Sequence, residues 1–128
     1  MYRSIESSIW KDPWFSELSA ECKTLFMYAI TNDRQTACGA FEVSLRQMAY
    51  EAGLTTEQVK KALTQLEPKV MWWPEWNILW VRNFYKYQHK NSNKDSFRQG
   101  ALKAMYDYPQ EVNDEIREAY PELDDVPD

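Results

Sequence analysis

Glycine is scarce here: Gly39, Gly53 and Gly100 are the three in 128 residues. With none clustered, no glycine-rich loop can cradle a phosphate, and the nucleotide-binding folds that depend on one fall away. Histidine is scarcer, with His89 alone, and the two cysteines, Cys22 and Cys38, stand far apart in sequence. A zinc site from so few, so scattered donors is not expected. Secreted scaffolds of this size usually carry more cysteine, so both are read as reduced core or boundary residues. No apolar run approaches the roughly 18 residues of a membrane span. The opening Met1, Tyr2, Arg3 and Ser4 lack the basic-then-apolar layout of a signal peptide. These absences lead to the expectation of a cytoplasmic, non-enzymatic protein with no metal, no cofactor and no membrane association.

Apolar and aromatic side chains are plentiful, at 44% and 15%, enough for the core of one domain. The net charge of −5 is unevenly spread. Residues 107–128 hold nine acids and one base (Arg117), leaving residues 1–106 with 14 bases and 11 acids, a net of +3. The globular part is mildly basic and the C-terminal part strongly acidic, so the total does not exclude a nucleic-acid partner.

Along the chain, Ile9, Trp10, Trp14 and Phe15 around Asp12-Pro13 suggest an extended, aromatic-anchored arm that turns at the proline. Ser19 is a good N-cap for a helix whose Leu18, Cys22, Leu25, Phe26, Ala29 and Ile30 recur at helical spacing. Residues 39–43 suit a short strand. Ser44 caps a helix ended by Gly53, and Thr55 with Gln58 forms a capping box for the next, which stops at Pro68. Residues 70–81 read as a hairpin turning at Pro74-Glu75-Trp76-Asn77. Residues 82–93 lead away, 95–106 form a further helix, and 109–120 suit another with Pro109 in its first turn. From Pro121 the chain is expected to fray.

Helix, strand, helix, turn, helix, hairpin is the order of a winged helix. Two helices joined by a tight turn cross steeply, which requires a small residue in the first helix, here Ala49. A residue able to take positive φ must follow, and Gly53 does so. Val59 then drops a branched side chain into the gap, with Met48, Ala52, Leu54 and Ala62 completing the inward set. The expected fold is mainly α with a small β wing: a winged helix-turn-helix at 1–90, including the N-terminal arm, and a C-terminal helical extension and acidic tail at 91–128. A plain helical hairpin would use similar residues, but it leaves the downstream strands unexplained.

In such folds the second helix lies in the major groove. Its outward positions are Thr56, Glu57, Lys60, Lys61, Thr64 and Gln65: the lysines suit phosphates, and Thr56 and Gln65 suit base edges. A solvated helix face is the competing reading. Arg82, Lys86, Lys90, Lys94 and Arg98 recur every four residues among Phe84, Tyr85, Tyr87, His89 and Phe97. Basic residues with aromatics suit nucleic acid through phosphates and stacking, although Asn91, Ser92 and Asn93 interrupt the stripe. The hairpin carries Trp72, Trp73, Trp76 and Trp80 and is apolar on both faces. Its second face must be covered by the arm, by the C-terminal helices or by another chain. That leaves two functional readings: a DNA binder, double- or single-stranded, using Thr56, Lys60, Lys61, Thr64, Gln65, Arg82, Lys86 and Lys90, or an assembly module in which the wing, through Trp72, Trp73, Trp76 and Trp80 at the interface, or the N-terminal arm joins copies into homo-oligomers. On the first, the acidic tail is expected to fold over the basic surface and compete with DNA.

The segments SSIWKDPWFSELS, LFMYAITND, GAFEVSLRQMAYEAGLTTEQVKKALTQLE and ILWVRNFYKYQHKNSNK together resemble the N-terminal winged-helix domain of phage replisome organisers, which bacterial DnaD-like primosome proteins share. The resemblance spans about Tyr2 to Lys94. It implies a winged helix in replication initiation, with origin or single-strand binding, self-assembly and recruitment of a helicase or helicase loader. By position, Thr56, Lys60, Lys61 and Gln65 match the family's recognition-helix surface. In some members a separate C-terminal domain binds DNA, whereas this chain continues past Lys94 only with a short helical piece and acidic residues.

Overall fold

The computed structural model describes residues 3–124. They form a mainly helical fold with one small antiparallel sheet, a winged helix-turn-helix carrying a C-terminal helical extension. The elements are α1 (Pro13–Ser16), α2 (Ala20–Thr31), β1 (Ala40–Glu42), α3 (Leu45–Ala52), α4 (Thr56–Leu66), β2 (Val70–Trp73), β3 (Ile78–Val81), α5 (Phe84–Lys90), α6 (Lys94–Met105) and α7 (Gln110–Ala119), with 3-10 turns at Ser7–Lys11 and Pro121–Leu123.

Local chemistry sets most of the helix starts. The Ser19 and Ser44 hydroxyls accept from the backbone N–H of Cys22 and Gln47, and the Asn93 side chain accepts from Ser96. Asp12 caps α1 by accepting from Phe15 N–H, with Pro13 at the first helical position, where its missing N–H costs nothing. The N-terminal arm expected to be extended is therefore two short helical turns, at Ser7–Lys11 and Pro13–Ser16.

The strands lie in the order β1-β3-β2. Ala40 opposes Trp80 on one side of β3, and Met71 opposes Trp80 on the other. Gly39 leads into β1 at φ +89°, and a Cβ there would meet the Val81 carbonyl oxygen at 2.7 Å. The chain needs a glycine at this point because β1 is drawn so close to β3.

Alternation along the strands sends side chains into two separate cores. Leu79 and Val81, with Phe41 and Val70, face Leu25, Met48, Val59 and Leu66 of α2, α3 and α4. Ile78 and Trp80, with Ala40 and Trp73, face Leu102, Met105, Val112, Ile116 and Leu123 of the extension. All four residues of β3 are consequently buried. Two of the tryptophans expected at an interface between copies, Trp73 and Trp80, are instead covered by this chain's own C-terminal helices, with their rings stacked 6.4 Å apart. Trp72 is half-buried against the first core, and only Trp76, at the hairpin turn, is exposed.

The C-terminal residues also differ from the expectation of a frayed acidic tail. Residues 110–119 are helical, as expected for 109–120, but beyond them Leu123 is fully buried within the turn expected to fray. The Tyr108 hydroxyl donates to Ala40 O at 2.8 Å, the Tyr120 hydroxyl donates to Arg82 O, and Asn113 Nδ2 donates to Met105 O at 2.8 Å. The acids of α7 occupy the outer face of a packed helix, so they do not form a mobile arm that can fold over a basic surface. The last four residues lie outside those described. The segment 82–93, expected only to lead away, contains α5. Among the described residues, no helix is long and apolar enough to cross a membrane.

Removing the Leu123 side chain tests this packing. Leu123→Ala is expected to lower unfolding free energy by about 2–5 kcal/mol, the range for deleting a buried leucine, as measured by urea denaturation. A change near zero would leave residues 121–123 out of the core.

Candidate nucleic-acid interface

The turn between α3 and α4 is built as its sequence requires. Gly53 takes the left-handed conformation (φ 74°, ψ 32°), and Leu54 N–H donates back to Ala49 O at 2.9 Å. No atom lies within 4 Å of where a Cβ would stand, so the backbone angle alone calls for glycine here. A residue with a Cβ adopts that conformation at a cost of about 1–2 kcal/mol. Thr55 and Gln58 then exchange hydrogen bonds of 3.1 and 2.9 Å, closing the capping box that starts α4. Ala49, Met48, Val59 and Ala62 are buried as expected, whereas Ala52 and Leu54 are half-buried.

This seating turns one face of α4 into the core through Val59, Ala62, Leu63 and Leu66 and leaves the other in solvent. Thr56, Glu57, Lys60, Lys61, Thr64 and Gln65 are all exposed. Lys60 Nζ lies 3.5 Å from Glu57 Oε1, an ion pair so exposed that it holds the lysine only weakly. Lys61 makes no ion pair among the described residues. Thr64 donates to the Lys60 carbonyl within the helix, and Gln65 Oε1 accepts from the Cys22 thiol at 3.0 Å. Cys22 and Cys38 are free and buried in different cores, and burial pushes the Cys38 thiol above its ordinary range, so neither is poised for reaction.

The second basic segment is divided. Arg82 is half-buried; its Nε donates to Pro68 O at 3.2 Å and its guanidinium lies 4.8 Å from the Trp80 ring centre. Arg98 donates twice to Glu122 O, at 3.0 and 2.8 Å. Lys86 and Lys90 are exposed on α5, and Lys94 begins α6 beyond the break at 91–93. The interleaved aromatics are mostly spent on packing: Phe84 and Tyr85 are buried, and His89 and Phe97 stack on Tyr85. Only Tyr87 keeps an exposed ring. The two basic surfaces therefore do not form one stripe with stacking aromatics, and α4 is the more complete. The wing adds no cation, since β2, β3 and their turn contain neither lysine nor arginine.

The exposed face of α3 contributes residues not singled out from the sequence. Arg46 and Tyr50 stand one helical turn apart, and Tyr50 is 86% exposed. The first helix of a helix-turn-helix crosses the DNA backbone, so an arginine and a tyrosine here suit phosphate contact. Their spacing opposite Met48 and Ala49 was available to a helical reading.

Behind this face, α3 is tied down by an ionic cluster. Glu51 accepts a bidentate pair from Arg34 at 2.5 and 2.8 Å, the Tyr28 hydroxyl at 2.6 Å and Gln47 Nε2 at 3.1 Å. α2, the loop after it and α3 are thereby joined at one carboxylate. The Arg34 hydrogen bonds, followed by that of Tyr28, pull the Glu51 carboxyl down to about 2. No protein-family model matches the chain, and no curated protein or solved structure matches it.

The pH dependence follows from the direction of that shift. A carboxyl depressed in the folded state stabilises the fold above its unfolded value of about 4.3, and the contribution is lost as pH falls towards 2. Urea midpoints of the native chain are expected to fall more steeply than those of Glu51→Gln across this window. Parallel curves would remove the cluster from the stability of α3.

Proposed function

We propose that this chain is a non-enzymatic module that binds duplex DNA, placing α4 in the major groove. The observation that carries this is the α4 face, where Lys60 and Lys61 stand exposed beside the hydrogen-bonding side chains of Thr56, Thr64 and Gln65. On this reading the lysines neutralise phosphates while Thr56 and Gln65 meet base edges. The burial of Trp73 and Trp80 takes away the main reason to read the hairpin as an assembly surface. Charge placement agrees: the acidic α7 packs in the core on the opposite face of the sheet from the core that holds α4. The setting we propose, replication initiation in a phage or prophage within a bacterial cytoplasm, rests on the resemblance of the four sequence segments alone.

Fluorescence anisotropy with labelled duplex and single-stranded DNA across a salt series tests the reading. Duplex affinity is expected to fall linearly in log salt, and Lys60→Ala/Lys61→Ala is expected to weaken binding with a slope shallower by about two phosphate contacts. Absence of duplex binding at low salt, or a double variant that binds like the native chain, would overturn it.

A further inference from the structure

A groove with a volume of about 410 Å³ opens away from α4, between the N-terminal segment and α5. Its walls are fixed by side-chain latches. Gln88 of α5 both accepts from Ser4 N–H at 3.1 Å and donates to Ser4 O at 2.6 Å. Arg3 donates to the carbonyls of Asn32 and Gln35 at 2.9 and 2.6 Å, holding the same segment to the end of α2. Ile9, Trp14, Phe15, Phe26, Ile30 and Phe84 provide an apolar lining. The apolar surface continues outwards: Ile5 and Tyr87, both in the lining, are 43% and 45% exposed, and the neighbouring Trp10 is 60% exposed. These exposed apolar side chains adjoin the groove rather than standing singly on the surface, which is the arrangement of a docking site.

Charge around the groove indicates what would occupy it. Three lysine ammonium groups sit over three of its aromatic rings: Lys69 over Trp14 at 4.7 Å, Lys90 over Tyr87 at 5.1 Å and Lys23 over Phe15 at 5.9 Å. Lys11 lines it too. Within the lining itself Lys11 and Lys69 balance two carboxylates, Glu6 and Asp12, of which Asp12 is engaged with Phe15 N–H at 3.0 Å, so Lys23 and Lys90 beside the lining make the surroundings positive. The occupant should therefore be apolar at its centre and negative at its edges. A nucleic acid is negative, but its bases carry polar edges, and two of the three amides lining the groove are engaged: Gln88 holds Ser4, and Asn91 donates to Tyr87 O, which leaves Asn83. Base edges placed against the apolar lining would lose most of their hydrogen bonds to water with few replacements. An amphipathic helix loses nothing, because its apolar stripe meets the lining and its flanking carboxylates meet the lysines.

We propose that this groove docks an acidic amphipathic segment of a partner protein, independently of the α4 face. A displayed library of random 16-residue peptides, selected on the full chain, supplies the probe. Enriched peptides are expected to be net negative, with apolar residues at i, i+3 or i+4, and i+7. Their affinity is expected to fall by about tenfold or more in Lys23→Glu/Lys69→Glu/Lys90→Glu, whose changes lie at the rim and whose urea midpoint serves as the folding control. A second variant, Tyr87→Ala, should weaken the same peptides without reversing any charge. No enrichment, enrichment of neutral or basic peptides, or binding to both variants as tight as to the native chain overturns the proposal. Tighter binding in the groove by a thymidine 16-mer or by dodecanoate than by any selected peptide also overturns it, in favour of a nucleic-acid or lipid-like ligand.

Discussion

With Ile78, Leu79, Trp80 and Val81 all buried, β3 stands only if both of its faces are covered, and this divides the rest of the chain in two. Each such side chain contributes about 1.5–3 kcal/mol on burial. Exposing one face would forfeit a large share of the roughly 5–15 kcal/mol by which domains of this kind are stable. Helices α2, α3 and α4 cover the face of Leu79 and Val81; α6, α7 and Leu123 cover that of Ile78 and Trp80. The helix-turn-helix unit and the extension thus depend on each other through one four-residue strand.

Where structure is decided within a few residues, the sequence was readable. Ser19, Ser44 and Thr55 cap their helices through contacts three positions away, and Gly53 ends α3 by its own backbone angle. The exposed face of α4 followed from periodicity once those limits were in place. The two-sided hairpin was also legible as a need for cover, but the choice among arm, C-terminal helices and a second chain depends on contacts between residues 20 to 50 positions apart. Helix α7 was legible beyond Pro109, but the seat of Leu123 was not, because a single leucine among acids carries no periodic signal. Helix α5 escaped for another reason: Asn83 makes no side-chain cap, and its aromatic residues serve tertiary packing more than helical propensity. Asp12-Pro13 did hold a local signal, a cap followed by a first-turn proline, which resembles a turn until Phe15 is seen to be buried.

Charge follows the same partition. The bases of residues 82–103 read as a stripe, yet Arg82 and Arg98 are spent on carbonyls and a ring, holding the extension and the wing exit in place. The lysines divide between structures: Lys60 and Lys61 on α4, Lys23, Lys69 and Lys90 over aromatic rings of the groove. A regular interval in sequence does not ensure one surface in space when a helix break intervenes, as residues 91–93 do between α5 and α6.

Helix α2 bears on both candidate surfaces. Its Leu25 and Ala29 pack in the core with Val59 and Leu66 of α4, while Phe26 and Ile30, on the adjacent strip, line the groove. Tyr28 of the same helix reaches Glu51, which fixes α3. An occupant that shifted α2 would act on the seat of α4, yet the Arg34–Glu51 pair and the dense core between α2 and α4 resist such movement. If both proposals hold, the two surfaces would work side by side, one basic and polar on α4 and one apolar with a lysine rim, each seated on the same rigid helix α2.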